Sequence, residues 1–376
     1  MDPKLVSFKF VAGWWEITGM KKFVIAGALI GAAASGAWAA GVERTTFNSG
    51  LLFEEGDYLE LSFGVAMPDV SGSGNGPFTG TTSGDMAKDY FSIGLGYKQQ
   101  LNDRWALALI IDQPVGADVS YPAGTYPFQD STANVESKAI TALAKYSAAN
   151  NLSFYGGIKA QQLSGNVSIP FFTGYTLTTD KSEEFGYVLG AAWEKPEIAA
   201  RVSLTYSSEI THTFNSVEGG VFPGTFDTTI PQSLQLDFRT GVAADTLVFG
   251  SVRWVDWTEF QILPPAFSIA SGGLPLAAYD SDYITYSLGV GRRFNETWSG
   301  AITLTHEPSS GDLMRNLGPT DGFSSVGVGA TYTNGNMKIT GGVRYALIGD
   351  ATTTTVGSTF EGNKAIGAGV KIGWSF

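Results

Sequence analysis

Few side chains in this 376-residue chain are equipped for chemistry. It has no cysteine and only two histidines, His212 and His306. Neither histidine belongs to a serine–histidine–acid set, and no spacing fits a metal cluster or a phosphate loop. No catalytic residue, metal ligand or cofactor is therefore expected. What remains is arginine. Arg239, Arg253 and Arg344 each fall in the middle of a segment of alternating residues, on its polar side. Lys159, Glu60, Glu209 and Asp237 are read onto the same interior face. A guanidinium matches a carboxylate with two parallel N–H donors. In a partly dry interior it can equally serve a stiffening network of paired charges. Both uses stay open. Arg253 and Arg344, then Arg239, are the candidates for a carboxylate-binding role. A second kind of candidate is apolar surface where water is expected. "IPFFTGYTL" offers Phe171, Phe172, Tyr175 and Leu177, and the nearly uncharged stretch 260–279 offers Ile262, Leu263, Phe267 and Leu274. Apolar loops of this kind either bind something or pack on one another.

The elements that must position these residues are strands. In "TWSGAITLTHE", Trp298, Gly300, Ile302 and Leu304 alternate with Ser299, Ala301, Thr303 and Thr305. Period two over such lengths predicts strand, not helix. Fourteen such segments begin near Tyr58, Lys88, Arg104, Asn134, Leu152, Glu184, Ile198, Gln232, Thr246, Ser281, Thr297, Phe323, Asn336 and Lys364. They are about twice the usual strand length of 5–6 residues and match a membrane-crossing strand. Short connections such as "LNDR", "AANN" and "TNGN" alternate with long ones at 71–87, 122–133, 171–183, 216–231, 263–280, 309–322 and 351–363. That alternation predicts an all-β, 14-stranded antiparallel transmembrane β-barrel, with short periplasmic turns and long extracellular loops. Trp105, Tyr146, Trp193, Phe294, Trp298, Tyr332, Trp374 and Phe376 gather at the short-turn ends, where an interfacial aromatic girdle belongs.

Composition agrees. Charged residues make up 15% of the chain, and the net charge of −12 argues against nucleic acid as a partner. Residues 20–40, "MKKFVIAGALIGAAASGAWAA", combine two lysines, a short apolar run and an Ala-x-Ala site, the pattern of a secretory signal. The reading is therefore a signal at 1–39, its natural start at Met20 and the preceding residues a mis-assigned start. A short plug-like lumenal segment follows at 40–57, and the barrel at 58–376.

Four stretches, at 50–72, 102–124, 231–261 and 286–312, in their order and spacing resemble the FadL/TodX family of outer-membrane transporters. "GLLFEEGDYLELSFGVAMPDVSG" and "NDRWALALIIDQPVGADVSYPAG" are the first two. The resemblance implies uptake of long-chain fatty acids or other hydrophobic molecules. A ligand would land among outer loops, pass to a lumenal pocket holding a basic side chain, and leave sideways at a kink in the third strand. Here the third segment carries Asp112, Gln113, Pro114, Val115 and Gly116, where a missing N–H and a glycine interrupt pairing. A plain bulge is the alternative. The chain departs from the family in its leader, which lacks both the length of the family's plug and its Asn-Pro-Ala motif. A plug-driven release step is thereby in doubt, and an open lumen gains ground.

The function expected is passive outer-membrane uptake of hydrophobic molecules, long-chain fatty acids first. Monoaromatic hydrocarbons are the alternative, and a general diffusion porin is a weaker one that the greasy loops oppose. The partners implied are a hydrophobic small molecule, outer-membrane lipid with lipopolysaccharide, and the barrel-assembly machinery reading the terminal Phe376. The place implied is the outer membrane of a Gram-negative bacterium.

Overall fold

The computed structural model describes residues 42–376. The signal sequence and start site expected at 1–39 lie outside the described residues. Alternation folds as the pattern demands, into strands that pair antiparallel with their sequence neighbours. Their ranges are β1 (Tyr58–Asp69), β2 (Tyr90–Gln100), β3 (Trp105–Asp112, resuming at Gly116–Ser120), β4 (Thr132–Ser147), β5 (Leu152–Ile169) and β6 (Ser182–Lys195). Next come β7 (Ala200–Ser207, resuming at Ile210–Glu218), β8 (Phe222–Ile230, resuming at Ser233–Ala243) and β9 (Thr246–Val255). The last five are β10 (Tyr283–Arg293), β11 (Trp298–Glu307), β12 (Phe323–Asn334), β13 (Met337–Ile348) and β14 (Lys364–Ser375). β14 pairs with β1 from Tyr58↔Ser375 to Asp69↔Lys364, so the 14-stranded barrel closes without an edge.

Facing is as the period dictates. Phe91, Phe185, Leu288, Ile302 and Leu347 point out and stay more than half exposed, while Thr303, Thr305, Thr340 and Lys371 point in and are buried. The short turns are built by asparagine. Asn102 Oδ1 accepts from the N–H groups of Arg104 and Trp105, and Asn295 Oδ1 from those of Thr297 and Trp298. Asn150 and Asn151 both take the left-handed conformation of a tight hairpin. Beside these turns the girdle rings meet in pairs, Trp105 with Tyr146 at 4.9 Å and Trp298 with Tyr332 at 5.2 Å.

The expected segment starts lie close to the observed ones, but two stretches expected as loop hold strand, the first at Tyr175–Thr179, which pairs with the end of β5 and with the outer part of β7. The stretch 216–231, expected as a loop, is mostly strand: β7 and β8 run on together past the membrane. Their outward residues there, Thr211, Thr213 and Asn215, are polar and exposed, so this hairpin stands clear of the apolar belt. Glu209, expected to face inward, sits in the break within β7 and is exposed.

Two large apolar cores and a small one of Leu247, Phe249 and Ala301 form inside. One large core lies at the outer end, where loop residues Tyr121, Tyr126, Phe128, Phe260, Phe267 and Tyr279 pack into a cap. The other lies lower in the lumen, where Leu51 and Leu52 of a 3-10 turn (Ser49–Phe53) press on Ala108, Leu143, Tyr155 and Val188.

Candidate functional site

The segment before β1 positions everything in the lumen. Its backbone docks on the broken part of β3: Arg44 N–H donates to Pro114 O at 2.8 Å, and Gly116 N–H donates to Val42 O at 2.8 Å. The break is thus partly filled by a short bridge, Glu43↔Val115. A Cβ at Gly116 would meet the Arg44 guanidinium, so a larger residue there would push that side chain aside. Thr45 Oγ1 donates to Asp112 at 3.2 Å, and Arg44 pairs with Asp118 at 2.5 Å while lying over the Tyr90 ring. Lower down, the Phe53 ring is held between Lys145 Nζ at 4.6 Å and the Arg201 guanidinium at 4.3 Å. The segment is short, yet it packs against the inner wall from β3 to β7.

Across from it lies a cavity of about 200 Å³ between residues 43–50 and the wall from β7 to β13. Five arginines line it, Arg44, Arg201, Arg239, Arg253 and Arg344, against the acids Glu43 and Asp237. Their states differ. Arg253 is not free: its guanidinium holds Glu43 with two N–H groups and also reaches Ser233 at 3.1 Å. Of the sequence candidates, Arg253 is therefore a structural partner of the leader. Arg344 is 8% exposed and forms no ion pair with an acid among the described residues. Its cross-strand neighbours, Gly327 and Gly367, leave it room. The Arg239 Nε is buried without an acceptor. An ionic side chain left without an ion pair at membrane depth is costly.

A second cavity of about 140 Å³ lies toward the cap, lined by Val42, Val70, Val135, Val167, Ile262 and Leu276 among others. Arg44 lines both cavities. The two apolar loops read from sequence meet beside it: Phe172 meets Phe267 edge-on at 5.4 Å, and Tyr175 lies tilted against Phe267 at 4.9 Å. Leu177 is buried beside them, Leu263 is half-buried, and Phe171 and Leu274 stay 45% exposed. Sequence reading missed Phe78 and Phe128, which contact Phe171 from other loops. Helix α1 (Pro265–Ser271), which carries Phe267, is tied down by buried Glu218, whose carboxylate accepts from the N–H groups of Ala266 and Phe267 and from Tyr175 OH. Burial, then the hydrogen bond to Glu218 and its charge, pushes the Tyr175 phenol upward.

In the wall itself, β2 and β3 pair only from Leu95↔Ile111 to Gln100↔Ala106. Beyond that, Tyr90–Gly94 keep β1 on one side but face the Asp112–Val115 break on the other. Ile93 N–H donates to the Gln113 side chain across the break at 3.3 Å. All four expected kink residues, Asp112, Gln113, Pro114 and Gly116, therefore stand at one interruption of the ladder. Among the described residues the histidines take no part: buried His212 meets Ser182, and His306 faces outward beside Ser324.

The family model for outer membrane protein transport protein (OMPP1/FadL/TodX) matches residues 55–371. The chain belongs to that family. It is a family of outer-membrane transport channels for hydrophobic compounds in Gram-negative bacteria, not of enzymes. Solved structures with the same fold include a FadL homologue from Pseudomonas aeruginosa, at TM-score 0.72 and 14% identity, covering 92% of this chain and 98% of that one. The Pseudomonas putida toluene transporter TodX aligns at TM-score 0.65 and 14% identity over 93% and 98%. CymD, a monoaromatic hydrocarbon channel, aligns at 0.60 and 14% over 93% and 98%. No curated protein matches the sequence.

Proposed function

We propose that this member carries long-chain fatty acids, which enter through the loop cap, stop in the two lumenal cavities and leave sideways at the β3 break. The observation behind this reading is the pairing of a largely apolar cavity under the cap with a lower one where Arg344 forms no ion pair among the described residues and Arg239 keeps a buried Nε without an acceptor. An amphipathic ligand fits that order, its chain in the upper cavity and its carboxylate on the guanidinium. Burying the chain contributes about 0.8 kcal/mol per methylene, so entry needs no energy source. The test is uptake of radiolabelled oleate by a Gram-negative host lacking its own fatty-acid transporter. Restored uptake that falls in Arg344→Ala supports the reading; no restoration by a folded barrel sinks it.

One observation favours the second reading, monoaromatic hydrocarbons. The upper cavity, about 140 Å³, is close in size to an engineered protein cavity of roughly 150 Å³ that takes benzene. Toluene uptake insensitive to Arg344→Ala would select this substrate class.

A further inference from the structure

We propose that the membrane-facing side of β12, β13, β14, β1 and β2 carries a second binding site, an apolar groove that receives the transported hydrophobic molecule as it leaves the β3 break. This rests on the lateral-exit reading above. The groove has a volume of about 810 Å³ in the outer wall of the barrel. Its floor is Ala330, Gly341 and Ala368, and Phe63, Phe91 and Val343 rise around it. Outward positions elsewhere mostly carry Leu, Ile, Val or aromatic side chains, and outward glycines there lie against a neighbouring side chain, Gly156 by Leu189, Gly250 by Phe238 and Gly300 by Phe294. Here three neighbouring positions offer a methyl group or nothing, so backbone is laid open.

Packing does not impose this. A Cβ built on Gly341 meets no atom closer than Gly369 O at 4.0 Å. A glycine inside a strand weakens it and often marks a bulge, a bend or a close approach by another molecule, and the ladder runs through Gly341 without a register shift. No side chain of the barrel makes that approach, which leaves a molecule in the membrane.

Register gives the groove its direction. Ala330, Gly341, Val370, Phe63 and Ile93 are successive cross-strand partners from β12 to β2. Val328, Val343, Ala368, Val65 and Phe91 form the adjoining row. Both rows end on Ile93 and Phe91, the outward residues of the part of β2 that has lost β3 as a partner. These two are 60% and 73% exposed. A ligand passing the break thus meets Phe91 first, then a shallow trough leading away from it around the barrel. The occupant this continuity favours is the cargo, held after exit and before dispersal, rather than a resident lipid chain.

The experiment compares two alterations. Gly341→Leu with Ala368→Leu fills the trough with side chains that lipid-facing strands accept. Ile93→Cys with Gln113→Cys, joined by a short thiol cross-linker, closes the break in a chain that has no cysteine of its own. Heat-modifiable gel migration reports that each barrel is folded. Oleate uptake is then measured in cells, and a diazirine-bearing fatty acid is photolysed on the protein in liposomes. The expectation is that the staple stops uptake and that filling the trough lowers its initial rate about fourfold, the factor of one buried methylene. Label is expected on the β13–β14 peptide despite excess phospholipid. If the staple blocks uptake but the filled trough transports normally, the groove proposal falls and lateral exit stands. Complete competition by phospholipid also overturns it, in favour of ordinary boundary lipid. If the staple has no effect, lateral exit fails and the groove proposal with it.

Discussion

Replacing Arg344 by alanine separates a ligand site from a structural charge. Arg344 is buried, has no acid partner among the described residues, and lies between Gly327 and Gly367, so its removal orphans no carboxylate. The barrel should keep its melting behaviour. A charge-assisted contact to a ligand carboxylate contributes roughly 1.5–3 kcal/mol, equivalent to a loss of roughly 10- to 150-fold in Kd. The methyl ester of the same acid lacks that contact and should bind wild type and variant alike. The assay is displacement of a fluorescent fatty acid from detergent-purified protein, run with oleate and methyl oleate on both proteins. The difference between the two ligands isolates the charge interaction, as a double-mutant cycle does. Equal weakening of acid and ester would mean that Arg344 only shapes the cavity. No weakening of either would remove it from the site.

Three other outcomes follow from the geometry. His212 stands in the part of β7 beyond the membrane, where burial holds its imidazole down to about 4 from 6.5. The unfolded hairpin then binds more protons below pH 6.5, so its stability is complete above that pH and is lost as the pH falls toward 4. Protease resistance of the β7–β8 hairpin should drop over that window in wild type and less in His212→Phe; matching profiles would refute the assignment. Gly116→Val should drive Arg44 off β3 at a cost of about 1–3 kcal/mol and expose the leader to added protease from the periplasmic side; an unchanged digestion pattern would show that the leader is held elsewhere. Glu218→Gln should free the start of α1, costing roughly 1.5–3 kcal/mol, and make residues 260–279 cleavable by a protease added outside cells; resistance equal to wild type would mean that the aromatic contacts alone hold the cap.

The barrel was legible because a strand with lipid on one face and lumen on the other has no freedom in its pattern. A slip of one residue would put Thr303 and Thr305 into lipid. The β3 break was legible for a similar reason, since proline cannot donate to a ladder. The lumenal site was only half legible. Alternation put Arg239, Arg253 and Arg344 on the inner face, but could not tell which had an acid near it. That depended on Glu43 and Arg44, in a leader with no alternation and no regular structure to reason from. Their one visible signal was a charged pair, "VERT", in an otherwise apolar and polar stretch. The loop cap failed in the same way: Phe171 and Phe267 stood out in sequence, whereas Phe78 and Phe128 join them only through tertiary packing.

Arg44 lines both lumenal cavities, with Asp118 holding it in place, so on the proposed route the two chambers would be passed in turn behind one door-post. Traffic through such a passage forms a queue. A molecule resting in the lower chamber keeps the next one waiting above, so flux saturates at the pace of departure rather than rising with supply. A compound that settles too firmly on the arginines is then a blocker, and the best cargo is one that lingers least.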